Sequence, residues 1–285
     1  MGNQDRERYD LVLIDFGHLA YRTLFASQEE EEFKLWKSIV FGTLLSNVWK
    51  FPTENMVLAA ESYGNWRKEV YEDYKGNRKA GRDESPVDFD EFFDVLGRFE
   101  DSLRRYLPFI FMKVPHAEGD DIVGTLAIKN QDKKVLIVSG DKDFRHLQML
   151  PNVSQYDPIK KKMVKCPDPQ KFLLEMLLMG DAGDNIPSVR PRIGPKTAAK
   201  IAKDGLDGVK FFVQKEGLVE EYQRNLKLIS LFHIPPQIKK SILDEYQSYQ
   251  KPVIDLRTFL IENELWKWKK DTEFRRTESM LMELY

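Results

Sequence analysis

The chain has 285 residues, 42% of them hydrophobic and 32% charged, with one cysteine and a net charge of −2 at pH 7. This is a globular composition with room for a sizeable core; it excludes a disulfide framework and a cysteine metal site, and no apolar run reaches membrane-spanning length. The single cysteine, Cys166, fits a reducing cytoplasm, and the segment MGNQDRERYD lacks the apolar core of a secretory leader; a cytoplasmic protein is expected, and a monomer.

The first apolar strand is expected over residues 11–14 of DLVLIDFGHLA; it ends in Asp15 and runs into a helix. ENMVLAAES repeats the pattern, with a strand over 57–60 that ends in Glu61. Residues 66–105 begin rich in Lys, Arg, Tyr and Gly, unlike a tight crossover, and continue as VDFDEFFDVLGRFEDSLRRYL with helical spacing. A third strand is expected over 109–112, then a helix from Glu118 that carries Ile122, Val123, Leu126 and Ala127. In VLIVSGDKDF a fourth strand, 135–138, meets the turn Ser139-Gly140 and then Asp141 and Asp143. Strands alternating with helices indicate an α/β fold, a mainly parallel central sheet flanked by helices, with ligands beyond the carboxyl ends of the strands. Past Pro167 the sequence turns to helices and loops, which places a boundary near Cys166 between a catalytic domain, 1–166, and a smaller helical part, 167–285.

Asp15, Glu61, Asp141 and Asp143 stand at strand ends, Glu118, Asp120 and Asp121 open a helix, and Asp181 and Asp184 lie three apart, on one side of a helical turn. One aspartate after a strand is ordinarily a turn residue or a cap, and Asp120-Asp121 suits a helix N-terminus in any case. Repetition at successive strand ends is what those roles do not predict. Converging carboxylates repel, and hard divalent cations such as Mg²⁺ or Mn²⁺ resolve that repulsion. An all-acid site suits two-metal phosphoryl chemistry, in which one ion activates water and the pair, about 3.5–4 Å apart, stabilises the attacking and leaving oxygens. His18, His116, His146 and His233 show no ligand spacing and read as surface or packing residues; no Walker-type glycine loop appears, which disfavours an NTPase.

The near-neutral total conceals segregated charge, because Lys and Arg gather in YKGNRKAGR, PIKKKMVK, RPRIGPKTAAKIAK and WKWKK. Lys75, Arg78, Lys79 and Arg82, with Tyr71 and Tyr74, combine cations and stacking surfaces suited to a single strand. Arg145 follows the fourth-strand acids and suits either a phosphate contact or an internal ion pair. In IGPKTAAKIA, Gly194 precedes a helix start whose N–H groups suit a duplex phosphate, with Lys196, Thr197 and Lys200 beside it and Lys203 on the same side. The apolar ESMLMELY reads as packing, with docking to a replication clamp as the alternative.

LIDFGHLAYR, HAEGDDIVGTLA, VSGDKDFRHL and MGDAGDNIPSVRPRIGPKTAAKIA, taken in order, resemble the 5′-nuclease or flap endonuclease family, its phage members above all, and YKGNRKAGR resembles that family's basic arch. The resemblance implies a helical arch over the active site and a helix-three-turn-helix module for duplex. It implies 5′→3′ exonuclease and flap-endonuclease activity that releases RNA primers and 5′ flaps, on flapped, nicked or gapped DNA and on RNA–DNA hybrids. It also implies two Mg²⁺ ions, replaceable by Mn²⁺, with a single-stranded-DNA-binding protein or a clamp as protein partner. Residue by residue, Asp15, Glu118, Asp120 and Asp141 match the tighter metal site and Asp143, Asp181 and Asp184 the second, and Asp121, in the adjoining shell, and Glu61 are expected to complete the metal-holding set. Lys75 and Arg78 are expected at the scissile phosphate, Tyr74 on an unpaired base, and Lys142 pointing away from the two aspartates beside it. Glu61 stands where the family has aspartate, Gly119 where it has alanine, and SVRPRIG where its hairpin is compact and glycine-rich. The Glu61 departure leaves a catalytically weak junction-binding protein as the competing reading, and a PIN-like ribonuclease as a second, against which the glycine-turn module after Asp184 argues.

Overall fold

The structure is a computed structural model that describes residues 6–24, 33–78, 82, 85 and 87–285. Strand β1 (Leu11–Asp15) is buried along its whole length, as an unbroken apolar strand must be when helices cover both faces of its sheet. With β2 (Met56–Ala59), β3 (Ile110–Met112), β4 (Val135–Val138), β5 (Val153–Asp157) and β6 (Lys162–Val164) it forms one sheet in the order 3-2-1-4-5-6, parallel except for the β5–β6 pair. The first four strands fall where the sequence places them. The hairpin β5–β6 was not anticipated: its outer strand is short, exposed and lysine-bearing, the usual guard on a sheet edge, and it absorbs much of PIKKKMVK.

Helices α1 (Phe16–Leu24), α2 (Lys34–Lys50), α3 (Arg67–Val70), α4 (Phe89–Tyr106) and α5 (Gly119–Lys129) belong to the sheet's half of the chain. Val12, Ile14, Leu58, Leu136 and Val138 face α1, α2 and α4, whereas Leu11, Leu13, Val57, Val135 and Ile137 face α5. Asp88 caps α4 by accepting from Glu91 N at 2.9 Å, and Phe92, Val95, Phe99 and Leu103 then bury at helical spacing. Phe92 and Phe99 meet Trp36 edge-on at 5.2 and 5.5 Å. Helix α4 is thus a cover of the sheet.

A third apolar cluster joins α6 (Pro169–Met179), α7 (Pro195–Ile201), α8 (Gly205–Lys215) and α9 (Val219–Ile229) around Leu174, Leu177, Leu178 and Val209. The chain then turns back: α10 (Pro236–Ser248) packs on α5, and α11 (Leu256–Glu262) and α12 (Asp271–Met282) pack on α4 and α2. Trp268 of WKWKK meets Phe41 at 5.2 Å, and Leu281 and Leu284 of ESMLMELY are buried in the same cluster. Among the described residues no helix is long and apolar enough to cross a membrane.

A 3₁₀ segment, Lys142–Met149, follows β4 and buries His146, whose Nε2 accepts from Leu231 N at 3.2 Å. Burial pushes its pKa down to about 4, so the folded protein holds it neutral while the unfolded chain takes a proton below the ordinary value of 6.5. Stability from this group is complete above pH 6.5 and is lost as pH falls toward 4, by roughly 3 kcal/mol in all. Buried carboxylates with raised pKa values titrate in the opposite sense. The expected result is therefore a difference: urea unfolding of His146→Asn should lose less stability between pH 7 and pH 4.5 than the wild type does. Equal losses would contradict it.

Candidate active site

The order of the parallel strands reverses between β1 and β4, which opens a crevice beyond their carboxyl ends. Asp15 and Asp141 sit at that switch point. Asp15 Oδ1 accepts from His18 N at 3.0 Å and its Oδ2 accepts from the Ser139 hydroxyl at 2.9 Å. The Ser139 Oγ accepts in turn from Asp141 N at 3.0 Å, and Asp141 Oδ1 accepts from Asp143 N at 2.9 Å. From β5, Gln155 Nε2 donates to the carbonyls of Ser139 and Asp141 at 2.9 and 2.7 Å and holds the turn from below.

Two glycines allow the other carboxylates to approach. A Cβ on Gly119 would lie 3.1 Å from the Ala59 carbonyl, so glycine lets the start of α5 dock on the end of β2 and brings Asp120 to the crevice. Gly180, at φ +69°, reverses the chain after α6 where a Cβ would fall 2.3 Å from the Ile186 carbonyl. The turn that follows places Asp181 and Asp184 opposite the strand ends. A cavity of about 480 Å³ is lined by Asp15, Glu61, Asp120, Asp141, Asp143, Asp181 and Asp184, together with His18, Tyr21, Arg22, Lys75, Arg78 and Lys142. Glu118 borders an adjoining cavity of about 600 Å³ that also takes in Tyr21, Glu61, Lys68, Lys75, Arg78, Arg82 and Phe89.

Charge in the crevice is unbalanced in a telling way. Burial, with Asp141 adding to it, pushes Asp15 up to about 6. Burial and the charges of Asp141 and Asp181 push Asp143 up to about 7, and burial with Asp15 and Asp141 raises Asp120 well above its ordinary value. The buried Asp143 Oδ1 has no hydrogen-bond partner. Elsewhere the protein's own cations stand in: Lys75 and Arg67 hold Glu118 down to about 2 despite its burial, Arg78 pairs with Asp184 at 2.7 Å, and Lys142 with Asp181 at 2.5 Å. Among the described residues, no three His, Cys, Asp or Glu side chains are drawn together closely enough to grip an ion as they stand. The donor set nevertheless fits a hard divalent cation, which would relieve the mutual repulsion and give Asp143 Oδ1 a partner.

Residues 10–176 match the N-terminal resolvase-like domain of 5′-3′ exonucleases. The chain belongs to the 5′-3′ exonuclease and flap endonuclease family. It is 30% identical over 269 residues to ribonuclease H of Enterobacteria phage T4, which covers 85% of this chain and 88% of that protein. The 5′-3′ exonuclease of Buchnera aphidicola is 28% identical over 210 residues, 68% of this chain and 69% of that one. DNA polymerase I of Streptococcus pneumoniae is 30% identical over 253 residues; the match takes in 76% of this chain but 27% of the polymerase. In fold, the chain matches phage T5 5′-exonuclease with bound zinc ions at a TM-score of 0.63 and 19% identity, over 84% of this chain and 98% of that one. It also matches a T5 flap endonuclease in a pseudo-enzyme–product complex with DNA and metal ions, at a TM-score of 0.60 and 20% identity, over 84% of this chain and all of that one.

In this 5′ nuclease the basic stretch after β2 is tied to the acidic turn. Lys75 N donates to the Asp184 carbonyl at 2.9 Å, Asn185 Nδ2 to the Asp73 carbonyl at 2.8 Å, and Asn77 Nδ2 to the Ala182 carbonyl at 3.0 Å. Lys75 adopts φ +55° to do so.

Several expectations need correction. Tyr74 is buried among the helices of the third cluster, and its hydroxyl donates to Glu118 Oε2 at 3.0 Å, so its ring is not free to stack on a base. Asp121 is fully buried away from the cavity; it accepts from Trp66 Nε1 and Glu118 N, both at 3.0 Å, and from both terminal nitrogens of Arg67. It is an anchor for the start of α5 and is not placed to meet an ion. Lys142 turns toward the cavity to reach Asp181, because the 3₁₀ segment replaces the extended chain in which its side chain would have pointed away. Arg145 does not line the cavity, and its guanidinium lies 5.6 Å from the Phe172 ring centroid. Lys79 lies outside the described residues. Gly194, Lys196 and Thr197 are exposed at the start of α7, and Lys200 is exposed in its last turn.

Sequence reasoning missed Arg67 and His18. Arg67 lies in a four-residue helix with no local signal of its depth, and its Nε donates to the Leu228 carbonyl from across the chain at 2.9 Å. For His18 a signal existed: it stands three residues beyond a strand-end aspartate, on the first turn of the helix that the strand feeds.

Proposed function

We propose that this chain is a Mg²⁺-dependent, structure-specific 5′ nuclease that cuts 5′ flaps and RNA primers from DNA, in the cytoplasm where replication takes place. The observation that carries the reading is a single cavity in which strand-end carboxylates and the Asp181–Asp184 pair face Lys75 and Arg78. Asp15, Glu118, Asp120 and Asp141 would hold one ion, and Asp143, Asp181 and Asp184 the other, with Glu61 at the exposed rim. When bound, such ions supply Lewis acidity and lower the pKa of water.

The chain's own groups do the rest. Lys75 and Arg78, held on the cavity wall beside Glu118 and Asp184, would grip the scissile phosphate. Its non-bridging oxygens gain negative charge in the transition state, and fixed cations stabilise that charge most in a site shielded from water. Tyr21, Phe89, Lys68 and Arg82 line the adjoining cavity and suit the displaced single strand. Residues 1–166, with Asp181 and Asp184 from the segment beyond them, carry the chemistry, and α7, with Gly194 before it and Lys196, Thr197 and Lys200 along it, holds the duplex by its phosphates. The relatives' names support the reading, since one is a ribonuclease H and another a flap endonuclease complexed with DNA and metal ions.

The test is a gel of products from end-labelled flap, nicked and RNA–DNA hybrid substrates. With Mg²⁺ the flap should be cut near its junction, and Asp141→Asn should cut on the order of 10²–10³-fold more slowly while still shifting the flap in a binding assay. No metal-dependent cleavage of any of the three substrates would overturn the proposal.

A further inference from the structure

His18 is the one histidine in the acidic cavity, and the carboxylate chemistry leaves it without a task. Its backbone N–H fixes Asp15 Oδ1 at 3.0 Å, and its ring Nδ1 stands 3.7 Å from Asp141 Oδ2. That separation is too long for a good hydrogen bond. Neighbouring ligands of one ion at about 2.1 Å bond length lie about 3 Å apart, so a small rotation of the ring brings the two atoms to a shared ion. The start of α1, fed directly by β1, fixes the imidazole at this spot. Its side chain is 22% exposed, so it reaches the cavity without being embedded in the core.

We propose that His18 Nδ1 is a ligand of the ion held by Asp15 and Asp141, and that it biases this site toward Mn²⁺ over Mg²⁺. The inference rests on the metal-dependent reading above and deepens it. Carboxylates and water favour neither ion strongly, whereas Mg²⁺ binds nitrogen poorly and imidazole suits transition ions. One nitrogen among oxygens is enough to separate the two without excluding Mg²⁺. Of the other histidines, His116 and His233 do not line the cavity, and His146 is sealed in the core. A histidine-nitrogen signal from the site, which ¹⁵N-histidine labelling separates from amide, lysine and arginine nitrogen, therefore has one source among the four histidines.

The experiment is electron spin-echo envelope modulation on the Mn²⁺-loaded, full-length protein, grown once with ordinary histidine and once with ¹⁵N-histidine. The wild type should show ¹⁴N modulation that changes to the ¹⁵N pattern on labelling and disappears in His18→Gln. Calorimetric titration with each ion should show the Mn²⁺-over-Mg²⁺ preference falling on the order of tenfold in His18→Gln. Mn²⁺ bound without histidine modulation, or modulation that survives in His18→Gln, overturns the inference and leaves the nuclease reading intact. Failure of the wild type to bind Mn²⁺ at all overturns both.

Discussion

Replacing Arg67 by alanine should lower the unfolding free energy by about 3–5 kcal/mol and abolish most nuclease activity. The side chain is 3% exposed, and its guanidinium spends every nitrogen: two on Asp121 at 2.8 and 3.0 Å, one of these also on Glu118 at 2.7 Å, and Nε on the Leu228 carbonyl at 2.9 Å. Its face lies 4.5 Å from the Trp66 ring centroid. Truncation strands the fully buried Asp121 and weakens the hold on Glu118, and an uncompensated buried charge is far worse than a missing pair. Arg67→Lys should recover little, because an ammonium cannot present the same planar fork to a carboxylate. The double variant Arg67→Met/Asp121→Leu should be less destabilised than the sum of its single changes, as the stranded charge goes with its partner. Urea unfolding of the wild type, these three variants and the single changes Arg67→Met and Asp121→Leu measures each of these effects. A loss below about 1 kcal/mol for Arg67→Ala, the level of an exposed surface pair, would show that the clamp contributes little.

Lys75→Met should slow single-turnover cleavage of a 5′ flap by on the order of 10²–10³-fold, with a much smaller change in flap affinity. Lys75 is largely buried, and although burial disfavours its charge, Glu118, Asp184 and Glu61 raise its pKa and keep it protonated. A cation fixed in this way is most useful to charge that develops during the reaction, so its loss should appear in the rate. Arginine in its place should restore part of the rate, because it retains charge on a stem of similar length. If Lys75→Met weakened binding as much as it slowed cleavage, Lys75 would be a ground-state contact and the assignment to the scissile phosphate would fail.

Most of the frame was legible because its signals are local. An apolar run that stops at an aspartate announces both a buried strand and the place where it ends, and this held for β1 and β4 with Asp15 and Asp141. The helix from Glu118 and the turn carrying Asp181 and Asp184 were legible for the same reason. The mistakes concern direction. Tyr74, Lys142 and Asp121 lie beside residues that do line the cavity, yet their side chains point where distant segments decide: the third cluster takes Tyr74, Asp181 takes Lys142, and Arg67 takes Asp121. Arg67 itself was illegible because its partners lie 51, 54 and 161 residues away. The edge hairpin failed for another reason, since lysines on an outer strand look like a charged loop until a neighbouring strand is known to pair with them.

The ties between residues 73–78 and the turn at 181–185 bear on how sharply such an enzyme could place its cut. Lys75 and Arg78 share a rigid frame with Asp181 and Asp184, through one main-chain bond, two asparagine amides and the Arg78–Asp184 pair. A duplex that rocks on the exposed start of α7 would shift the strand relative to this frame as a whole, and the spacing between phosphate grip and acids would not change. The phosphate that is caught would then always be the phosphate presented to the carboxylates. Positional error would come in whole nucleotides, as a miscounted step along the strand, and not as a blurred distribution around one bond.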